Sequence, residues 1–206
     1  MTPHRYSDPI DHAFSYLVKH YGKGNPRFAA PTRTPPTRAV NVAVILARFG
    51  CDEPTIVGGI LRYVLEDAAP RVRPELEERI EAKFGTNAFA AAREATFPKY
   101  DPTGRERSWT EYRAEYLDRL TQTAVRTLDV VAAHEIHWCG SAVSLIERLG
   151  SEYIRGLTPA NHTELLWWYR SLGDQLERRT DWPHQPMLGE LRRLSAHLVT
   201  ASRNPG

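Results

Sequence analysis

The sequence predicts an all-α protein, a single bundle of about eight to ten helices. Two observations support the helical class: apolar residues recur at helical spacing along most of the chain, and the alternation typical of strands is scarce. A length of 206 residues fits one domain with a sizeable core. We therefore expect residues 1–206 to form one domain.

The first two predicted helices flank a segment rich in proline and glycine. Residues 9–21 and 37–49 carry apolar side chains at helical spacing, and Gly50 is suited to cap the second helix. Residues 22–36 contain too many prolines and glycines to be helical. The sequence therefore predicts two helices joined by a long loop.

The next helix is predicted to begin after Asp52, whose carboxylate can accept from the free N–H groups of its first turn. It runs to about Ala69, before a proline. Shorter helices follow at 74–84 and 86–95, and the polar residues 97–107 are predicted to form a loop.

The second half of the chain contains the longest helical signal. Ser108 and Glu111 have the spacing of a capping box, which predicts a helix that starts there. The segment from about Thr123 to Leu149 is apolar on several faces, and we expect it to be a central buried helix. Two further helices are predicted near 160–180 and 187–202.

Charge and apolar content exclude several classes of partner. Lys plus Arg is 27 and Asp plus Glu is 25, so the net charge of +2 does not suggest a nucleic-acid-binding protein. No apolar run approaches the roughly 18 residues of a membrane span. The chain start lacks a signal-peptide core, so we expect a cytoplasmic protein in which Cys51 and Cys139 are buried free thiols.

Several separated blocks stand in an informative order: His20-Tyr21-Gly22, Val42-Ala43-Val44-Ile45-Leu46, the run from Thr55 to Asp67, Ser108-Trp109-Thr110-Glu111-Tyr112, and Ala132-Ala133-His134-Glu135-Ile136-His137-Trp138. In order and spacing they resemble the HD phosphohydrolase superfamily, in particular the guanosine tetraphosphate hydrolases of the RelA/SpoT type. The resemblance covers about 10–175 and implies an HD-type helical domain, and we expect residues 176–206 to add a helix packed on it.

The resemblance also implies a metal site, yet all four expected ligands are replaced. Arg38 and Arg62 stand where the family has histidines, Tyr63 stands at a bridging aspartate, and His134 stands at the last aspartate. Guanidinium groups and a neutral phenol are not usable metal ligands. We therefore expect no metal and no other cofactor, and we expect the metal-dependent hydrolysis of a pyrophosphate ester to be lost.

The replacing residues are ionisable, and they lie beside a retained Glu-Asp pair at the end of the same helical segment. One interpretation assigns proton transfer to Tyr63, Glu66, Asp67 and His134, and binding of a small anionic or nucleotide-like molecule to Arg38, Arg62, His137 and Trp138. The other interpretation is structural: arginine–glutamate pairs neutralise a buried polar hole that the metal left behind.

Three hypotheses about function follow. The preferred one is a repurposed, metal-independent enzyme that uses acid–base residues on a small anionic metabolite in specialised metabolism. The alternative is an inactive pseudo-hydrolase that binds a nucleotide or a protein. The third is a metal-dependent nucleotide phosphohydrolase whose ligands have moved to His134 and His137. The aromatic run Trp167-Trp168-Tyr169 suits core packing, a ligand pocket or a homodimer interface, and these alternatives stay open.

Overall fold

The computed structural model describes residues 6–21, 35–101, 103–150, 156 and 158–203. These residues form α-helices and one isolated bridge, between Tyr100 and Glu106, so the all-α prediction is confirmed. The helices are α1 (Asp8–Tyr21), α2 (Pro35–Arg48), α3 (Glu53–Glu66), α4 (Arg73–Phe84), α5 (Thr86–Glu94), α6 (Trp109–Leu120), α7 (Val125–Leu149), α8 (His162–Arg178) and α9 (Gln185–Ala201).

The helices group into two compact units, Met1–Thr96 and Phe97–Gly206. The expectation of a single domain stays a prediction. No helix among the described residues is both long and apolar enough to cross a membrane. Cys51 and Cys139 are buried and are not joined by a disulfide, as predicted.

Helix α3 is the centre of the first unit. Asp52 caps its N-terminus, where the carboxylate accepts the N–H of Thr55 at 3.1 Å, as the sequence predicted. Every residue from Thr55 to Leu65 is buried, because α1, α2, α4 and α5 all pack against this helix. Its C-terminal end, which carries the predicted site residues, therefore lies partly inside the unit.

The approach of α5 to α3 depends on a glycine. A Cβ atom at Gly58 would lie 2.8 Å from the Cβ of Ala91 and 3.0 Å from the carbonyl oxygen of Ala88. The missing side chain lets the two helix backbones come close together, and the small alanines of α5 complete the fit.

Two helix boundaries differ from the prediction. Pro35 and Pro36, assigned to the loop at 22–36, form the first turn of α2. Proline is tolerated there because the first N–H groups of a helix have no partner within the helix. The rest of that loop lies outside the described residues. Helix α3 ends at Glu66, with Asp67 as its C-cap, three residues before the predicted end.

In the second unit, α7 is the long buried helix that the sequence predicted. It packs against α9, which also contacts α8, while α6 packs against α8. The capping box of α6 is confirmed: the Ser108 hydroxyl accepts the N–H of Glu111, and the Glu111 carboxylate accepts the N–H of Ser108 at 2.7 Å. All five tryptophans of the chain lie in this second unit.

Candidate functional site

Arg62 is the most deeply buried charged residue among the predicted site residues of the first unit, with 1% of its side chain exposed. Its Nε donates to the carbonyl oxygen of Ala95, just after α5, at 2.6 Å. Its Nη2 lies 3.4 Å from Oε2 of Glu66, one turn further along α3, and the Glu66 side chain is 10% exposed. The guanidinium therefore bonds the end of α5 to the end of α3.

These contacts follow from the sequence pattern of α3. Because the helix is buried along its whole length, a charged side chain at position 62 is enclosed and needs internal partners. The carboxylate four residues later is on the same helix face, and the carbonyl after α5 supplies a second acceptor. The contacts of Arg62 support the structural interpretation of this residue. Its assignment to substrate binding stays a prediction.

Tyr63 and Asp67 are joined through a third residue, Tyr21, at the last position of α1. The Tyr21 hydroxyl lies 2.9 Å from the carbonyl oxygen of Tyr63 and within hydrogen-bond distance of Oδ2 of Asp67. Tyr63 is buried, whereas Asp67 is exposed. Burial, followed by the charge of Asp67, raises the pKa of Tyr21 far above its ordinary range, so the phenol keeps its proton and can donate it.

Arg38 lies near the N-terminal end of α2 and is half-buried. Across the described part of the chain, no residue accepts a hydrogen bond from its side chain or forms an ion pair with it. The guanidinium therefore differs from that of Arg62, whose partners are internal. Of the two arginines assigned to substrate binding, Arg38 has the side chain better suited to it.

His134 lies on α7, in the second unit, and most of its side chain is covered. Its Nε2 is 4.0 Å from Oε1 of Glu135, and its ring meets Phe97 edge-on with 6.1 Å between ring centroids. The acid–base role predicted for His134 remains a proposal.

His137 and Trp138, assigned to substrate binding, are half-buried on the same helix. The Nδ1 of His137 is 3.4 Å from the Ser141 hydroxyl. The Trp138 ring stacks on Tyr169 of α8 at 26°, with 6.4 Å between centroids. The stacking gives Trp138 a packing role. Contact with a ligand stays a prediction for both residues.

Glu135 is a buried carboxylate that the sequence did not single out. It accepts from the Tyr169 hydroxyl at 3.0 Å, and from Nε1 of Trp168 and Nη1 of Arg113 at 3.4 Å each. The Arg113 guanidinium lies over the rings of Trp168, at 4.1 Å, and of Phe97, at 4.5 Å. Burial raises the pKa of the Tyr169 phenol, which therefore remains a donor. This network joins α6, α7 and α8.

A second buried carboxylate, Asp129, lies near the start of α7. Its Oδ1 accepts from Nε1 of Trp182 and contacts Nδ1 of His184, each at 2.7 Å. The two partners come from the link between α8 and α9, so the carboxylate holds that link against α7. The sequence offered no signal for this contact, since the residues are more than 50 positions apart.

The family resemblance implies a metal ion, and Arg62 and Tyr63 do not fit one at the positions where the resemblance implies ligands. Position 62 carries a guanidinium that is already bonded to Ala95 and Glu66, so a fixed positive charge stands at an expected ligand position. Position 63 carries a phenol rather than a carboxylate. A guanidinium has no lone pair for a divalent cation, and a neutral phenol is a poor substitute for a carboxylate ligand.

The described residues have an all-α fold, in which the central helix of the first unit, α3, is buried and ends in a Glu-Asp pair. Two solved structures share this fold. One is the crystal structure of lmo0812 from Listeria monocytogenes EGD-e, with a TM-score of 0.64 and 20% identity, covering 79% of this chain and 99% of that chain. The other is a metazoan ortholog of SpoT that hydrolyses ppGpp (guanosine tetraphosphate) and plays a role in starvation responses, with a TM-score of 0.62 and 18% identity, covering 93% and 96%.

The predicted likeness to the guanosine tetraphosphate hydrolases is thus confirmed at the level of the fold. No family model matches the chain, and no curated protein matches it. Identities of 20% and 18% leave the chemistry to be argued from the residues themselves.

Proposed function

We propose that the protein is a metal-independent enzyme on an HD-type hydrolase fold, and that it acts by acid–base chemistry on a small, anionic, nucleotide-like metabolite of specialised metabolism. The observation that carries the proposal is the buried guanidinium of Arg62, bonded to Ala95 and Glu66. It stands where the family resemblance implies a metal-ligating histidine. A positively charged side chain at this position supports chemistry without a metal ion.

The first unit supplies two groups with suitable properties. Asp67 presents an exposed carboxylate that can accept a proton, and Tyr63 and Glu66 lie beside it on the same helix end. Arg38 supplies a guanidinium with no described partner, which can bind an anionic group. In the second unit, His134 is assigned proton transfer, and His137 and Trp138 are assigned contact with the substrate.

A second candidate function is a pseudo-hydrolase that binds a nucleotide or a partner protein without turnover. The contacts of Arg62 and Glu66, together with the burial of Tyr63, favour it, because groups engaged in internal bonds are less able to react. The third hypothesis, a metal enzyme that uses His134 and His137, places both ligands three residues apart on α7.

Metal content separates the third hypothesis from the first two. Protein purified without chelators should contain no stoichiometric Mn, Fe or Zn, and EDTA should leave its thermal stability unchanged. We also expect no hydrolysis of ppGpp with added Mn²⁺. A stoichiometric metal whose removal lowers the melting temperature would reject the metal-free proposal.

Turnover separates the enzyme from the pseudo-hydrolase. A thermal-shift screen of anionic metabolites should give a stabilising compound, and mass spectrometry should then show its conversion. Asp67→Asn and His134→Ala should each abolish conversion, and Asp118→Asn, at an exposed carboxylate on α6, should not. Binding without conversion would favour the pseudo-hydrolase.

A further inference from the structure

Tyr21 contacts the one exposed carboxylate at the end of α3. Tyr21 is the last residue of α1, and Asp67 is the C-cap of α3, so the contact joins two helix ends that are 46 residues apart in sequence. The phenol also lies 2.9 Å from the carbonyl oxygen of Tyr63. Within the described ranges, no other side chain bonds the Asp67 carboxylate.

A carboxylate with one oxygen held in place points its second oxygen in a constant direction. Such an acceptor loses less conformational freedom on binding than a freely rotating side chain, and its geometry selects the partner. Tyr21 is half-buried at the end of a packed helix, which makes it a firm anchor. Its raised pKa keeps the phenol protonated, so the hydroxyl donates a hydrogen bond to the Asp67 carboxylate.

We propose that Tyr21 is a positioning residue: it holds Oδ2 of Asp67 so that Oδ1 becomes a fixed acceptor for a hydroxyl or amino group of the ligand. This inference rests on the proposed function and narrows its substrate class. The ligand is then an anionic molecule that also carries a hydrogen-bond donor, as nucleotides do in their sugar hydroxyls and base amines.

A purely structural role for Tyr21 makes a different prediction. If the phenol served only to bond α1 to α3, its removal would lower stability and weaken all ligands alike. A positioning role instead affects only ligands that donate to Asp67. The test therefore compares ppGpp, which has sugar hydroxyl and base amino donors, with inorganic pyrophosphate, which has no sugar and no base.

Calorimetry on the full chain gives the binding constants of both probes for the wild type, Tyr21→Phe, Asp67→Asn and the double variant. Loss of a hydrogen bond to a charged group should weaken ppGpp roughly tenfold in each single variant. The double variant should be no weaker than Asp67→Asn alone, and pyrophosphate binding should not change. Tyr100→Phe, at an exposed tyrosine outside this contact, serves as the matched control.

A measurement without ligand tests the role of Tyr21 independently of whether ppGpp or pyrophosphate binds. NMR couplings of the Asp67 side chain should report one rotamer in the wild type and averaging in Tyr21→Phe. Asp67→Glu, which moves the carboxylate one carbon away from its expected place while leaving Tyr21 intact, provides a second test, and it should also weaken ppGpp.

Three results decide the matter. Equal averaging of Asp67 in the wild type and in Tyr21→Phe would overturn the positioning role. Additive losses in the double variant, roughly a hundredfold in total, would overturn it as well. A fixed Asp67 that becomes mobile in Tyr21→Phe, together with no ppGpp binding by the wild type, would retain the role of Tyr21 and reject the nucleotide-like ligand of the proposed function.

Discussion

Replacing Arg62 with methionine removes a buried charge and keeps most of the side-chain volume. The variant removes the guanidinium from beside the Glu66 carboxylate, which is 10% exposed, and it removes the hydrogen bond of 2.6 Å to the carbonyl oxygen of Ala95. Breaking a buried ion pair by removing one partner costs about 3–5 kcal/mol. Loss of the buried hydrogen bond to the carbonyl costs about 1–3 kcal/mol, part of which the first figure already contains. We therefore expect Arg62→Met to lower the free energy of unfolding by about 3–5 kcal/mol.

Urea unfolding followed by far-ultraviolet circular dichroism measures this loss, because the signal reports helix content. The chain offers a matched control in Arg73 and Glu77, which have the same four-residue spacing on α4 and are 28% and 24% exposed. Arg73→Met should cost no more than about 1 kcal/mol, as half-exposed pairs do. Adding Glu66→Gln to Arg62→Met should recover part of the loss, because it removes the buried carboxylate charge that Arg62 neutralised.

The result that would refute this reasoning is a loss for Arg62→Met within about 1 kcal/mol of that for Arg73→Met. In that case the internal contacts of Arg62 contribute little to stability. A role of the Arg62 guanidinium in binding an anionic ligand, as the catalytic interpretation assigns, would then be favoured over a structural role.

Three other predictions concern packing and ionisation. Gly58→Ala should lower the free energy of unfolding by about 1–3 kcal/mol, because its Cβ would lie 2.8 Å from that of Ala91. Gly140→Ala is the control and should not destabilise, because its Cβ would make only an ordinary contact of 3.8 Å with Leu194. Equal effects of the two substitutions would argue against close packing at Gly58. Burial and a neighbouring carboxylate raise the pKa of Tyr21 above its ordinary 10.0, so this tyrosine ionises at a lower pH in the unfolded chain than in the folded protein. The free energy of unfolding should therefore fall above pH 10 more steeply in the wild type than in Tyr21→Phe. Denaturation midpoints measured from pH 8 to 11 test this. Glu135→Gln should cost about 3–5 kcal/mol in urea unfolding because it leaves a buried guanidinium unpaired, and a loss below about 1 kcal/mol would contradict the network.

Much of the fold could be predicted from local signals. The caps at Asp52 and Ser108 are correct because each depends on residues within three positions of the cap. The buried character of α7 is correct because a helix that is apolar on several faces has no side for water. Pro35 and Pro36 misled the prediction, since proline ends a helix in its interior but is accommodated in its first turn.

The contacts of the candidate site were less accessible to sequence reasoning. The pair Arg62 and Glu66 was expected from its spacing, but the bond to the Ala95 carbonyl depends on how α5 packs against α3. Tyr21 was noted only as part of a family block, because its partner Asp67 is 46 residues away. A single sequence carries periodicity within a helix, and it does not state which faces of different helices meet.

The distribution of tryptophan has an experimental consequence. All five indole rings lie in the second unit, and two of them, Trp168 and Trp182, are buried with their N–H groups bonded to the carboxylates of Glu135 and Asp129. Intrinsic fluorescence excited at the indole band therefore reports on residues 97–206 and is silent about the helices that carry Arg62 and Asp67. Comparing the unfolding transition measured by tryptophan fluorescence with the one measured by circular dichroism therefore tests whether the two units unfold cooperatively.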